Sequence, residues 1–192
     1  KEMLDVVTMV YGGLINKDIV ARLQARGVNA AGLSGADMDV IRSVRRPVTD
    51  GVDFGFVGDV RNVGADRLKM LIDAGITPVL APLTHDGHGS MLNTNADTIA
   101  SSAATALVDY YDVTLVFCFE KKGVLRNPDD DDSVIGRITR EDYARYVADG
   151  TISGGMIPKI ENALNAVDAG VKQVVITLAT EIGRHSGTVI SK

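Results

Sequence analysis

The stretch Val113-Thr114-Leu115-Val116-Phe117-Cys118-Phe119 carries the clearest strand signal in the chain. It is rich in β-branched and aromatic residues and contains no charged residue, which is typical of a strand buried within a mainly parallel sheet. Residues 174–178 have the same character, and the helical pattern of residues 157–169 precedes them and ends at Gly170. A strand, a helix and a strand in this order predict a right-handed crossover between two parallel strands.

The same alternation of elements continues through the rest of the chain. Helical periodicity falls at residues 1–26, 66–74, 98–108 and 139–147, and strand-like runs fall at residues 28–33, 40–44 and 76–81. Residues 52–60 favour a hairpin, and residues 82–92 favour a loop because of Gly87 and Gly89. We therefore predict an α/β fold, a three-layer α/β/α sandwich with a mainly parallel central sheet.

Length and composition bound the function classes. The 192 residues suffice for one domain with a hydrophobic core, and 45% of them are apolar. The net charge of −5 argues against a nucleic-acid or anionic-membrane partner. No uncharged apolar run reaches the length of about 18 residues that a membrane span needs. The single cysteine, Cys118, excludes an internal disulfide framework, suits a cytoplasmic protein, and is expected to be a small buried hydrophobe.

The segment Ser153-Gly154-Gly155-Met156-Ile157-Pro158-Lys159 is the strongest candidate for anion binding. Its two glycines expose backbone N–H groups, and its proline suits the first turn of a helix, whose positive end favours anions. Lys159 would add an ammonium group at the same place. The alternative is an ordinary glycine-containing helix entry with an exposed lysine. The chain has no G-x-x-x-x-G-K-[ST] and no complete G-x-G-x-x-G, so Walker and Rossmann nucleotide sites are not supported.

A second candidate segment is Asn93-Thr94-Asn95-Ala96-Asp97, which joins a glycine-containing loop to a helix of small residues. Its amides could capture a substrate carboxylate or amide, and Asp97 could orient a lysine. The alternative is N-capping, in which Asn95 or Asp97 satisfies the first N–H groups of the helix.

The turn Glu120-Lys121-Lys122-Gly123-Val124-Leu125 follows the strongest strand, and ligands of α/β sheets bind outside the carboxyl ends of strands. A solvated turn is the alternative.

Other polar residues are expected to lie on the surface without a functional role. His85 and His88 are expected in a solvated loop, with a metal site as the alternative, and His185 lies in polar sequence. Residues 129–132 are four consecutive aspartates, which are typical of a solvated loop of mutually repelling charges.

Several short motifs follow one another along the chain. They are Gly13-Leu14-Ile15-Asn16-Lys17, Gly32-Leu33-Ser34-Gly35, Gly58, Ala81-Pro82, Asn93-Thr94-Asn95-Ala96-Asp97, Lys122-Gly123-Val124-Leu125 and Gly154-Gly155-Met156-Ile157-Pro158-Lys159. In this order they resemble the acetylglutamate kinases of the amino acid kinase family. The resemblance extends over essentially all residues. The segments at residues 93–97 and 154–159 are together specific for the family.

The resemblance implies phosphoryl transfer from ATP to the γ-carboxylate of N-acetyl-L-glutamate in arginine biosynthesis. Lys159 would stabilise the transition state, Asp97 would orient the catalytic lysines, and Asn93 and Asn95 would bind the substrate. Magnesium would arrive on the ATP phosphates, with no metal site of the protein's own. The nucleotide-binding residues implied are Glu120, Lys121, Lys122, Gly123, Val124, Leu125, Thr151, Ile152, Ser153, Gly154 and Gly155.

Departures from the family pattern leave some expectations open. The resemblance leads us to expect that family segments with a first catalytic lysine and a glycine-rich substrate loop precede Lys1. Asp37-Met38 stands where Asp-Gly is commoner in the family, and some relatives that resemble this variant accept N-succinylglutamate, so the resemblance leaves the acyl group open. We expect a substrate and dimerisation lobe over about residues 1–110, a nucleotide lobe over about residues 111–192, and a homodimer or higher homo-oligomer. A relative acting on another small carboxylate, or a non-catalytic sensing or dimerisation module, is the alternative.

Overall fold

A computed structural model describes residues 1–184 and 186–192, so the expectation for His185 lies outside the described residues. The chain divides into two compact units, Lys1–Ala106 and Leu107–Lys192. None of the described helices is both long enough and apolar enough to cross a membrane.

Unit 1 begins with consecutive helical segments. Helix α1 (Glu2–Val7) continues through a π-helical segment (Thr8–Ile15) into α2 (Asn16–Gln24). The predicted helix is therefore present, and its glycines lie in the π-helical part. A Cβ atom on Gly12 would lie 3.0 Å from the Leu83 side chain. The absence of a side chain at Gly12 thus lets a strand residue approach closely.

Two sheets build the rest of unit 1. In the first, β1 (Ala30–Leu33) pairs in parallel with β4 (Thr77–Leu80). The second has the order β3-β2-β5-β6 and consists of β2 (Ile41–Arg45), β3 (Gly58–Val63), β5 (Leu83–His85) and β6 (Met91–Asn93). Helix α3 (Ala65–Asp73) precedes β4, and α4 (Ala96–Ala106) follows β6 and packs against β3.

Two local predictions for unit 1 were wrong. The hairpin expected within residues 52–60 is formed instead by β2 and β3, with residues 46–57 as its long connection. The loop expected at residues 82–92 contains the antiparallel pair β5 and β6. Each of these strands has three residues, which is too short for an alternating pattern to be recognised.

Unit 2 contains one sheet with the order β7-β9-β10-β8. Its strands are β7 (Thr114–Phe119), β8 (Arg137–Ile138), β9 (Gln173–Leu178) and β10 (Thr188–Ile190). Helix α5 (Arg140–Ala148) has a capping box between Thr139 and Asp142, and α6 (Met156–Asp168) packs against β9. Strands β7 and β9 are parallel over their whole length, so the predicted parallel pair is confirmed. The α/β class is confirmed as well, with the described strands distributed over three sheets.

Strand β7 shows why the prediction for Cys118 was wrong. The strand is at the edge of its sheet, and successive side chains point to opposite faces. Leu115 and Phe117 are buried, whereas Val116 and Cys118 on the other face are exposed. The apolar character of the whole strand therefore does not bury its cysteine.

Candidate functional site

A cavity of about 640 Å³ lies in unit 2 at the carboxyl end of β7. The turn after β7, the segment before α6 and the start of α6 form its walls. The lining residues are Cys118, Phe119, Glu120, Lys121, Gly123, Val124, Leu125, Pro128, Thr151, Ile152, Ser153, Met156, Lys159 and Ile176. Apolar side chains make up much of the wall, with a few charged and hydroxyl groups among them, as in sites for small organic ligands.

The structure brings most of the predicted nucleotide-binding residues together in this cavity. Glu120, Lys121, residues 123–125 and residues 151–153 line it, although the two segments lie far apart in sequence. Lys122, Gly154 and Gly155 are not among the lining residues. Sequence reasoning missed Cys118, Phe119, Pro128, Met156 and Ile176 as lining residues, because an apolar residue that lines a cavity has the same sequence signal as one in the core.

Lys159 lies in the first turn of α6. Its Nζ atom is 4.0 Å from the centroid of the Phe119 ring, a cation–π contact that holds the ammonium group at the cavity. The N-cap residue Gly155 has no side chain to cap the helix, and the first N–H groups of α6 are bonded locally, from Met156 to the Ser153 carbonyl and from Ile157 to the Gly154 carbonyl, both at 3.2 Å. Gly154 has a φ of +55°, which favours glycine. The Lys159 ammonium group and the positive end of the helix dipole together suit an anionic oxygen.

The turn after β7 is fixed to β10 by a buried hydrogen bond. The backbone N–H of Val124 donates to Thr188 Oγ1 at 2.8 Å. A Cβ atom on Gly123 would lie 2.8 Å from the same hydroxyl oxygen and 3.0 Å from the Thr188 nitrogen. Glycine at this position therefore lets the turn approach β10 closely enough to form one wall of the cavity.

Residues 129–132 are exposed, as expected of a solvated loop, but two of the four aspartates are paired with lysines. Asp131 accepts from Lys121 Nζ at 2.7 Å, and Asp132 accepts from Lys122 Nζ at 2.7 Å. These contacts raise the pKa of both lysines, and the Lys121 contact lowers the pKa of Asp131. Both pairs are solvent-exposed, so each contributes little to folding. Their effect is to hold the acidic loop beside the turn that lines the cavity.

The second candidate segment lies at the junction of β6 and α4 in unit 1. Asn93 ends β6 and is half-buried, and its backbone N–H donates to the Phe56 carbonyl at 2.8 Å. Asn95 precedes α4, and its Oδ1 accepts from the Thr98 N–H at 3.0 Å. The side-chain oxygen of Asn95 therefore caps the N-terminus of α4, as the capping alternative predicted. Asp97 is half-buried in the first turn of α4, where the helix dipole favours a carboxylate.

A buried amide joins α2 to the first sheet of unit 1. Asn16 is 3% exposed, and its Nδ2 donates to the Val79 carbonyl at 2.8 Å. Lys17 Nζ donates to the Gly32 carbonyl at 2.9 Å. A Cβ atom on Gly32 would lie 1.9 Å from Asn16 Oδ1. The motif that contains Asn16 therefore needs a glycine in the motif at residues 32–35. Their role in the described residues is to connect helix and sheet.

The expectation that His85 is solvated was also wrong. Its Nε2 lies 2.8 Å from Asp39 Oδ1, and Arg42 and Arg67 pair with the same carboxylate. Hydrogen bonding from Arg67, then from Arg42 and His85, lowers the pKa of Asp39 to about 2. The adjacent Met38 has a φ of +53°, which explains why glycine suits this position. Among the described residues no group of three or more His, Cys, Asp or Glu side chains is arranged to hold a metal ion.

Comparison with known proteins accounts for this combination of motifs and fold. Residues 1–178 match the profile of the amino acid kinase family. The chain belongs to the amino acid kinase family. Within this family it is 69% identical to a protein of Phocaeicola vulgatus named acetylglutamate kinase, over 191 residues that cover 100% of this chain and 74% of that protein.

Solved structures of other amino acid kinase-like proteins agree with the fold. The protein smu.665 of Streptococcus mutans superposes with a TM-score of 0.79 at 32% identity, covering 100% of this chain and 72% of that one. N-acetylglutamate synthase of Neisseria gonorrhoeae superposes with a TM-score of 0.84 at 21% identity, covering 100% of this chain and 44% of that one. At that identity the synthase supports the fold alone.

Proposed function

We propose that this protein is an N-acylglutamate kinase of arginine biosynthesis. It would transfer the γ-phosphoryl group of ATP to the γ-carboxylate of N-acetyl-L-glutamate or N-succinyl-L-glutamate. The observation that carries this proposal is the high identity, over the whole chain, to a relative named acetylglutamate kinase. The cavity of unit 2, with Lys159 at the start of α6, supplies the chemistry that such a reaction needs.

Unit 2 would bind the nucleotide. The apolar wall formed by Val124, Leu125, Ile152 and Met156 suits a purine base, and the Lys159 ammonium group at the start of α6 suits phosphate oxygens. In the reaction an oxygen of the acceptor carboxylate forms a bond to the γ-phosphorus, the bond from that phosphorus to the bridging oxygen breaks, and ADP leaves. Lys159 would stabilise the negative charge on the transferring group.

Unit 1 would bind the acceptor. Asn93 and Asn95 would donate amide hydrogens to the acylglutamate, and Asp97 would orient lysine ammonium groups. In the described residues these side chains are gathered at one junction, between β6 and α4. In this reaction the substrate carboxylate itself attacks the phosphorus, so no protein nucleophile is needed. The asparagines and Asp97 would only position the groups that react.

Magnesium would be held by the nucleotide. The cavity presents the ammonium groups of Lys121 and Lys159, which complement phosphate oxygens, and its wall contains one carboxylate, Glu120. This donor set fits a phosphate-bound cation better than a cation bound directly by the protein.

We also propose a cytoplasmic location, which is expected from the single cysteine.

A homo-oligomer would form through the helical segments at residues 2–24. Apolar side chains are exposed along them at Met3, Val6, Met9, Val10, Tyr11, Leu14, Ile15 and Ile19. Met3, Val6 and Met9 are three residues apart and Ile15 and Ile19 are four apart, so these side chains lie on neighbouring turns. A second copy of the same helix would cover this apolar surface, and light scattering measures the resulting mass.

Trapping of the acyl phosphate with hydroxylamine tests the reaction. The purified protein with ATP and Mg²⁺ is expected to form hydroxamate from N-acetyl-L-glutamate or N-succinyl-L-glutamate. Glutamate, aspartate and carbamate are the comparison acceptors, and activity on one of them alone would favour a different relative within the family. Absence of hydroxamate from every acceptor, together with no binding of ATP in calorimetry, would favour the non-catalytic module.

A further inference from the structure

Thr94 lies between the two amides assigned to the acceptor and is far more buried than either of them. It is 3% exposed, whereas Asn93 is half-buried and Asn95 is exposed. Its Oγ1 lies 2.8 Å from Thr84 Oγ1 and 3.3 Å from the Gly58 carbonyl oxygen. Since a carbonyl can only accept, Thr94 donates to Gly58, and Thr84 donates to Thr94.

Thr94 and the residue before it are held by two segments of unit 1, residues 56–58 and Pro82. The Thr94 N–H donates to the Pro82 carbonyl at 3.0 Å, before β5, while its hydroxyl donates to the first residue of β3. The preceding N–H, of Asn93, donates to the Phe56 carbonyl. Rotation of either peptide unit that flanks Asn93 would therefore break one of these hydrogen bonds, which is costly where the group is buried.

Gly58 leaves the space that the pair of hydroxyls occupies. A Cβ atom there would lie 2.6 Å from Thr94 Oγ1 and 3.0 Å from Thr84 Oγ1. Any side chain at this position would push the Thr94 hydroxyl away. The isolated glycine of the sequence motif thus serves the segment that carries the two asparagines.

We propose that Thr94 is a positioning residue for acceptor binding. Without touching the substrate, its buried hydroxyl fixes the turn from which Asn93 and Asn95 present their amides. This inference rests on the proposed function, because it gives those amides their role. A misplaced amide weakens its hydrogen bond to the acceptor, so the KM for the acylglutamate should rise while the KM for ATP stays the same.

Steady-state kinetics of matched variants test this inference. Thr94→Val keeps the shape but removes the hydroxyl, and is expected to raise the KM for the acylglutamate on the order of tenfold, the effect of about one hydrogen bond. Thr94→Ser restores the hydroxyl and should return the KM to within about twofold of the wild-type value. Ser43→Ala is the control, because Ser43 is buried in the same sheet and its hydroxyl has no hydrogen-bond partner among the described residues.

Thr84→Val supplies a second route if Thr94→Val does not fold. It removes the donor to Thr94 but leaves the bond to Gly58, so a smaller rise in the same KM is expected. Equal KM values for wild type, Thr84→Val and every folded Thr94 variant would overturn the inference while leaving the kinase reaction intact. A rise in both KM values for Ser43→Ala as well would also overturn it. A wild-type protein that forms no acyl phosphate would overturn the proposed function first, and the inference with it.

Discussion

The candidate residues of the two units are held by different kinds of contact. In unit 1 the segment at residues 93–97 is fixed by buried hydrogen bonds, such as the pair between Thr84 and Thr94. In unit 2 one buried hydrogen bond, from Val124 to Thr188, fixes the turn after β7, but most of the cavity wall is apolar and its charged groups make exposed contacts, such as the pair between Lys121 and Asp131.

This difference indicates what each unit can tolerate. A buried hydrogen bond depends on direction and distance, so the loss of one hydroxyl displaces its neighbours. An exposed ion pair is screened by solvent and contributes little to stability, so its members can exchange partners when an anionic ligand arrives. We therefore expect unit 1 to hold its candidate side chains in fixed positions. In unit 2 we expect the charged side chains to change partners when the ligand binds.

The largest effect is expected from the charge that unit 2 supplies at Lys159. Lys159→Ala should lower kcat about 10²-fold or more, because it removes an electrostatic contact to the transferring group. The hydroxamate assay measures this loss, and circular dichroism should show an unchanged fold. Lys172→Ala is the matched control, since this exposed lysine of the same unit pairs with Asp112 away from the cavity. A variant with kcat within a few-fold of the wild type would remove Lys159 from the mechanism.

Two glycines allow the units to be perturbed separately. Gly58→Ala in unit 1 should raise the KM for the acylglutamate, and Gly123→Ala in unit 2 should raise the KM for ATP. Each added methyl group would meet a threonine hydroxyl at less than 3 Å, and overpacking of this kind costs about 1–3 kcal/mol. We therefore expect changes on the order of tenfold.

Gly136→Ala is the control for these two variants, since a Cβ atom there would meet no atom within 4 Å. Its KM values should both match those of the wild type. If Gly58→Ala and Gly123→Ala each raised both KM values equally, the separate assignment of acceptor and nucleotide to the two units would be wrong.

The fold could be predicted from the sequence where elements are long. Strands β7 and β9 and helix α6 each have a continuous pattern, so their existence and their parallel pairing followed from composition and order. Strands β5 and β6 have three residues each and β8 has two, and such short strands are specified by their partners. The exposure of Cys118 likewise depends on which face of β7 is covered.

The candidate site could be predicted only where its residues belong to continuous segments of the sequence. Residues 120–125 and 153–155 belong to local motifs, and the family resemblance added Thr151 and Ile152. Most of these residues line one cavity. Contacts that depend on tertiary pairing could not be predicted. Lys121 and Asp131 are ten residues apart, as are Thr84 and Thr94, and neither spacing corresponds to a turn or a helix face. The hairpin that brings the two threonines together is the one that sequence patterns did not reveal.

Cys118 offers a chemical probe of the unit 2 cavity. Its thiol is exposed and lines the cavity, so a maleimide should modify it, and bound ATP should protect it. At ATP concentrations ten times Kd, the unliganded fraction is about one tenth, so labelling should be about tenfold slower. Mass spectrometry measures the rate, and Cys118→Ser should not be labelled because the chain has one cysteine. N-acetyl-L-glutamate alone should not protect, and equal protection by it would contradict the assignment of this cavity to the nucleotide.

The smallest effect is expected from the charge cluster of unit 1, around Asp39. Its carboxylate has a pKa of about 2 in the folded protein, against an ordinary value of 3.8, because Arg67, Arg42 and His85 donate to it. The folded state therefore binds this proton less readily than the unfolded state, and the stabilisation is complete above the ordinary pKa. As the pH falls from about 4 towards 2, the carboxylate is protonated and this stabilisation is lost.

Asp39→Asn removes the titrating group, so its urea midpoint should fall less steeply between pH 4 and pH 2 than that of the wild type. Asp66→Asn is the matched control, because it removes a neighbouring exposed charge of the same unit while leaving the contacts of Asp39 in place. Its midpoints should follow the wild-type slope. Parallel slopes for wild type and Asp39→Asn would mean that the three donors do not hold this carboxylate in solution. The strained turn at Met38 would then have to be maintained by the hydrogen bonds that the Arg67 guanidinium group donates to the carbonyls of Met38 and Asp39.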